Sequence, residues 1–131
     1  MYFHLKIVGI FLMLLAVLHI GFPKYFNWKK ELNNLSLINN QMMKVHTFFI
    51  AFAVFLIGLL CFTTTNELLQ TSLGKRIALG LGCFWLVRLF FQFFIYSSKL
   101  WKGKIFETTM HIIFSFLWVY LSSVFFIIYF R

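Results

Sequence analysis

The sequence predicts an all-α integral membrane protein, a four-helix up-down transmembrane bundle with an amphipathic interfacial segment between helices 1 and 2. Of its 131 residues, 62% are hydrophobic and only 11% are charged, whereas a soluble domain has about 25% charged residues. Four apolar runs approach the length of about 20 residues that crosses about 30 Å of hydrocarbon. Because lipid offers no partners for the backbone, such runs must bond internally as helices.

The four runs give the predicted spans, at about 5–22, 45–62, 77–96 and 105–130. The last two connections are short, which favours antiparallel neighbours. The first run ends in AVLHIGFP, which has no small-x-small cleavage site, so we expect it to be retained as a helix. A single four-span membrane domain over residues 1–131 is the predicted organisation.

The connection between the first two spans has a helical pattern of its own. Apolar residues recur there at spacings of four, three, three and four, namely Trp28, Leu32, Leu35, Ile38 and Met42. At about 100° per residue they share one face, and asparagines occupy the other. We expect an amphipathic helix in the membrane interface; the alternative is an ordinary long loop with aromatic anchors.

The positive charge indicates topology and not nucleic-acid binding. The net charge is +9, and eleven of the twelve Lys and Arg residues lie between the apolar runs or near their ends, and not on one polar face. Seven of them fall in the first and third connections, against four on the opposite side. The excess of basic residues predicts that these two connections are cytoplasmic and that both termini are outside, in a bacterial inner membrane or its equivalent.

Polar residues within the apolar runs come from every predicted helix and share one depth. With a rise of about 1.5 Å per residue, they fall within roughly 12 Å of the predicted cytoplasmic edge. They are His19, His46, Arg88, Gln92, Glu107 and His111.

The spacing of these residues adds a second constraint. Arg88 and Gln92 are four residues apart, as are Glu107 and His111, so each pair shares a helix face. The second stripe continues to Trp118 at helical intervals. Placing an arginine against lipid would cost about 2.5–3.5 kcal/mol at mid-bilayer. We therefore expect an intramembrane polar site near the cytoplasmic face.

Two kinds of role follow from the residue types at this site. Imidazoles and a carboxylate suit a transition metal, and two imidazoles on different helices suit a haem. A guanidinium, an amide and an indole suit the head of a lipophilic substrate. The predicted metal ligands are His19, His46, His111 and Glu107, and the predicted substrate-binding residues are Arg88, Gln92 and Trp118.

Three functions remain open on the sequence alone. The first is metal or haem chemistry on a lipophilic substrate, a quinone or an electron, as in a membrane oxidoreductase. The second is metal-free binding or transport of a proton, an anion or a lipid-like ligand. The third is a structural accessory subunit of a membrane complex, in which the polar residues lock helix packing.

The third span also contains a series of small residues, Gly74, Ala78 and Gly82. Small residues at this spacing let helices approach closely. The series therefore predicts packing within the bundle or, alternatively, a homo-oligomer interface.

In outline, the chain resembles the membrane-associated eicosanoid and glutathione metabolism proteins, which are four-span enzymes with a long first cytoplasmic loop and a functional arginine in span three. The resemblance implies glutathione chemistry. The segment NNQMMKVHTFF, however, has His46 and lacks the Arg, Asn and Glu pattern of that family at the start of span two. No residue role is carried over.

Overall fold

The computed structural model describes residues 2–25, 27–94 and 103–131, with the backbone alone at 22–25. Over these residues the chain is 93% helical and has no strand, which confirms the all-α prediction. The α-helices are α1 (Tyr2–Tyr25), α2 (Trp28–Glu31), α3 (Leu37–Thr63), α4 (Thr65–Gln70), α5 (Ser72–Phe94) and α6 (Ile105–Phe130).

Four of the helices, α1, α3, α5 and α6, are long and apolar enough to cross a membrane. Their spanning segments have 20 to 27 residues and mean hydropathies of 1.8 to 2.5. The bounds of α6 match the predicted span, and α3 begins at Leu37, well before the predicted start at residue 45. At about 1.5 Å per residue, α3 is longer than the hydrocarbon is thick, because a polar first turn precedes its apolar part. The predicted end of span three, beyond residue 94, lies outside the described residues.

The continuous amphipathic helix predicted over 28–42 is wrong. The chain forms α2, then a 3-10 turn at Leu32–Asn34, and then breaks before α3. Leu35 is extended, with φ −85° and ψ 153°. Ser36 is the N-cap of α3, and its hydroxyl accepts a hydrogen bond from the Asn39 N–H at 3.4 Å. An N-cap residue has a non-helical backbone, so a serine that caps a new helix cannot also continue the preceding one.

A second side chain stabilises this break. The Asn40 amide donates to the Leu32 carbonyl at 3.0 Å, so it occupies an acceptor that a continuous helix would have used for its backbone. Trp28 is buried, while Ile38 is 62% exposed. The apolar residues of the segment therefore do not act as one buried stripe.

The described chain divides into two units, Tyr2–Thr65 and Asn66–Arg131. In the first unit α1 and α3 pack against each other. Gly9 lies beside Gly58, and the Lys6 ammonium donates to the Phe62 carbonyl. Because the start of α1 meets the end of α3, the two helices are antiparallel.

In the second unit α5 and α6 pack in the same antiparallel way. Gly82 lies against the Phe126 ring, and Trp85 stacks on Trp118. Residues further along α5 therefore contact residues earlier in α6. The small-residue series is buried, and Gly74 lies against the backbone of α4. These contacts are of the packing kind that the sequence predicts, and the homo-oligomer role of Gly74, Ala78 and Gly82 stays a prediction.

Candidate functional site

Three of the predicted polar residues form a chain of hydrogen bonds between α5 and α6. The Arg88 guanidinium donates through Nη1 to Gln92 Oε1 at 3.2 Å, and Gln92 Nε2 lies 2.7 Å from His111 Nδ1. The one-turn spacing on α5 brings the first two together. Gln92 is only 7% exposed, whereas Arg88 and His111 are half-buried. We call this set the Arg88–Gln92–His111 relay.

The relay has a direction that follows from its first member. Arginine has only donors, so the amide atom that faces Arg88 must be the oxygen. The amide nitrogen of Gln92 then faces His111, and it is also a donor, so His111 Nδ1 accepts. Through the Gln92 amide, α5 thereby donates a hydrogen bond to the His111 ring on α6.

Aromatic side chains lie beside both ends of the relay. Trp85 and Trp118 stack with ring centroids 5.0 Å apart and planes 8° from parallel. The Arg88 guanidinium lies 5.1 Å from the Trp118 ring centroid, a cation–π distance. At the other end, Phe93 meets the His111 ring edge-on at 6.0 Å.

Both indoles are buried, and both leave a donor unsatisfied. Trp85 is 2% exposed and Trp118 is 4% exposed. Among the described residues neither indole N–H has a hydrogen-bond partner. A buried donor without an acceptor costs about 1–3 kcal/mol, and such groups in folded proteins require an explanation. The indole pair therefore places two buried donors, without acceptors among the described residues, beside the positive charge of Arg88.

An open cavity of about 350 Å³ lies beside the histidine end of the relay. The Ser115 hydroxyl donates to the His111 carbonyl at 2.7 Å, so its donor is used within α6. The surface of the cavity is almost entirely apolar. Its lining residues are Phe93, His111, Ile112, Ser115, Phe116 and Val119.

Sequence reasoning did not identify this cavity. Ile112, Phe116 and Val119 recur at helical intervals on α6, which is a signal for one face of the helix. In a chain this apolar, however, the same interval is also typical of lipid-facing residues. The pattern alone therefore does not separate a cavity wall from a lipid-facing surface.

The remaining predicted metal ligands are distributed over both units. In the first unit His19 Nδ1 donates to the Leu15 carbonyl at 2.8 Å, and His46 is exposed on α3. In the second, Glu107 is half-buried in the first turn of α6. Within either unit, as far as the chain is described, no group of three or more His, Cys, Asp and Glu side chains is arranged to hold a metal ion. The ligand set of His19, His46, His111 and Glu107 stays a prediction.

Comparison with known proteins adds no further constraint. No family model, no curated protein and no solved structure matches the chain.

Proposed function

We propose that the protein is an integral membrane protein that binds an amphiphile with an anionic oxygen head in its Asn66–Arg131 unit, without a metal. The observation that carries this proposal is the stacked pair of Trp85 and Trp118, whose buried indole N–H groups have no acceptor among the described residues and whose Trp118 ring contacts the Arg88 guanidinium. The four long apolar helices support insertion in a bilayer, and the topology proposed for them is an up-down bundle with both termini outside. In that setting the ligand reaches the site from the membrane.

The charge of Arg88 indicates the sign of the head group. Arginine stays protonated in proteins, so it favours a head group of negative charge. An anionic oxygen group on the ligand has that charge and can accept hydrogen bonds. Hydrogen bonds to charged groups contribute about 1.5–3 kcal/mol, roughly twice the contribution of neutral ones.

The indole pair indicates the same chemistry independently of charge. Trp85 and Trp118 bury two N–H groups that lack acceptors over the described residues. A carboxylate or phosphate head has several lone pairs and can satisfy more than one donor. A hydrocarbon or a cationic head would leave these donors unsatisfied.

The cavity beside His111 suits the hydrocarbon part of such a ligand. Its volume of about 350 Å³ lies at the low end of the range of about 300–1,000 Å³ that is usual for ligand cavities. His111 belongs both to the relay and to the cavity wall. An oxygen head at the relay can therefore continue into an apolar tail in the cavity.

The test compares two ligands with the same chain, palmitate and hexadecanol, bound to the protein in nanodiscs. Bromine-substituted versions of both quench nearby indoles, and a Trp28→Phe, Trp101→Phe background leaves only the two site tryptophans. We expect Arg88→Gln to weaken palmitate binding about 10- to 100-fold and to change hexadecanol binding little. Arg76→Gln, the same substitution at an exposed position of α5, is the matched control.

Equal binding of palmitate and hexadecanol to the unaltered protein would refute the proposal, as would equal losses in the Arg88 and Arg76 variants. A visible absorption spectrum and metal analysis of the purified protein test the metal hypothesis. A Soret band or stoichiometric metal that disappears in His111→Ala and persists in His4→Ala would replace ligand binding with metal or haem chemistry.

A further inference from the structure

We propose that the segment between α1 and α3, together with the start of α3, is a binding surface for the head groups of anionic membrane lipids. Its basic residues are Lys29 and Lys30 on α2 and Lys44 on α3, and we call these three residues the lysine surface. It belongs to the Tyr2–Thr65 unit. It is therefore a second site, beyond the proposed function, whose residues belong to the other unit.

Trp28 fixes the direction in which α2 presents its charges. This side chain is only 8% exposed, and α2 packs against α1. The next two residues, Lys29 and Lys30, are exposed. Successive residues of a helix project about 100° apart, so a helix that buries Trp28 turns the two lysines that follow away from the buried side. The packing of α2 thus holds two cations at the surface of the unit.

Lys44 lies at the same end of the α1–α3 pair as α2. Because α1 and α3 are antiparallel, the end of α1 and the start of α3 lie together. The Asn40 amide donates to the Leu32 carbonyl at 3.0 Å, which joins the turn after α2 to the start of α3. Lys44 follows Asn40 by about one helical turn. The three lysines therefore share one end of the helix pair.

The ammonium groups of the lysine surface are open to an external partner. All three lysines are exposed, and within the described chain no hydrogen bond or ion pair engages their ammonium groups. Lys6, near the opposite end of α1, is different. Its ammonium donates to the Phe62 carbonyl and lies 4.4 Å from the Phe62 ring centroid. The pair thus engages a cation internally at one end and presents cations outward at the other.

Exposed apolar side chains next to these lysines indicate that the partner is a bilayer. In the first turn of α3, Leu37 is 74% exposed and Ile38 is 62% exposed. Apolar and cationic residues on one surface suit the membrane interface, where the apolar side chains contact the acyl boundary and the ammonium groups reach the phosphates. Basic residues at this level attract anionic lipids electrostatically. The lysine surface should therefore select anionic over zwitterionic lipids.

The test measures which lipid lies next to Trp28. In the full-length chain with Trp85→Phe, Trp101→Phe and Trp118→Phe, Trp28 is the remaining tryptophan, and brominated lipids quench its fluorescence at short range. Phosphatidylcholine bilayers receive the same fraction of brominated phosphatidylglycerol or brominated phosphatidylcholine in both leaflets, so orientation does not affect the result. We expect a preference for phosphatidylglycerol of up to about fivefold per lysine at low salt, which falls as salt rises.

Substitutions test whether the lysine surface causes this preference. Each of the variants Lys29→Gln, Lys30→Gln and Lys44→Gln should lower it, by up to about fivefold. Glu31→Gln should raise it, because the removed carboxylate repels the same phosphates. Lys6→Gln is the matched control, since it removes the same charge from the same unit near the opposite end of α1. It should leave the preference unchanged.

Equal quenching by the two brominated lipids at low salt, in the chain that keeps all its lysines, would overturn the proposal without any lysine variant. Spin-labelled versions of both lipids repeat the comparison on the unaltered chain. A loss in Lys6→Gln as large as that in Lys29→Gln would also overturn it, because total charge would then attract the lipid. The quenching background lacks Trp85 and Trp118, so its result is independent of palmitate binding, and the two proposals can fail separately.

Discussion

The close approach of α1 and α3 at their crossing depends on Gly9 and Gly58. One methyl group added there should therefore weaken the packing of the two helices measurably. A Cβ built at Gly9 lies 2.7 Å from the Gly58 carbonyl oxygen and 3.0 Å from the Phe62 nitrogen, where ordinary contact begins at 3.4 Å. Both neighbours are backbone atoms, which cannot turn away as a side chain could. Gly9→Ala must therefore move α1 and α3 apart along the crossing.

The size of the effect follows from two opposing contributions. Overpacking of this kind typically costs about 1–3 kcal/mol, and alanine recovers about 0.5–1 kcal/mol of helix stability relative to glycine. The difference between these contributions is about 0–2.5 kcal/mol, so the free energy of unfolding should fall, with a mid-range value of about 1 kcal/mol. Gly80→Ala is the matched control, because a Cβ at Gly80 meets nothing within 4 Å. At Gly80 only the gain in helix stability applies, so Gly80→Ala should raise the free energy of unfolding.

The assay is reversible unfolding in mixed micelles, followed by circular dichroism, for both variants and the unaltered chain. The two substitutions are chemically identical and should shift the unfolding midpoint in opposite directions. If Gly9→Ala proved as stable as Gly80→Ala, close backbone approach at Gly9 would not be what holds α1 against α3.

Two further predictions concern the site and the break before α3. Trp118→Phe removes a buried N–H that has no acceptor among the described residues. Leaving such a donor unsatisfied costs about 1–3 kcal/mol, so its removal offsets the lost ring area. We expect the free energy of unfolding to stay within about 1 kcal/mol of the unaltered value while palmitate affinity falls, and a large loss of stability would contradict this. Asn40→Ala removes the hydrogen bond to the Leu32 carbonyl and should lower local stability by about 0.5–1.5 kcal/mol, measured as faster amide exchange over 32–34. Asn39→Ala, at an exposed side chain, is the control and should not accelerate exchange.

The long helices could be predicted because length and apolar content alone decide them. The predicted span at 105–130 coincides with α6, since Lys104 and Arg131 bound a single apolar run. Over 28–42, helical spacing of apolar residues predicted one helix and missed the break. Periodicity records which face is apolar, but the break depends on Ser36 and Asn40 bonding to particular backbone atoms. Those bonds compete with the helix and leave no mark in the apolar pattern.

The candidate site shows a similar division. The one-turn spacing predicted that Arg88 and Gln92 share a face, because both lie on one helix. The bond from Gln92 to His111 depends on the register of α5 against α6, which a connection of known length does not fix to within a turn. The predicted depth of a residue in the membrane also does not indicate on which face of its helix the side chain lies. His46 lies at the predicted level of the site, yet its side chain is exposed on α3.

The direction of the relay also bears on the metal hypothesis for His111. A metal-bound imidazole normally donates its second N–H to a carbonyl, a carboxylate or water. If a metal bound His111 through Nε2, its Nδ1 would carry a proton facing the Gln92 amide nitrogen at 2.7 Å. Accepting that proton requires Gln92 to turn its oxygen away from Arg88, which places two donors against each other. Metal ligation at His111 through Nε2 therefore requires rearrangement of the relay.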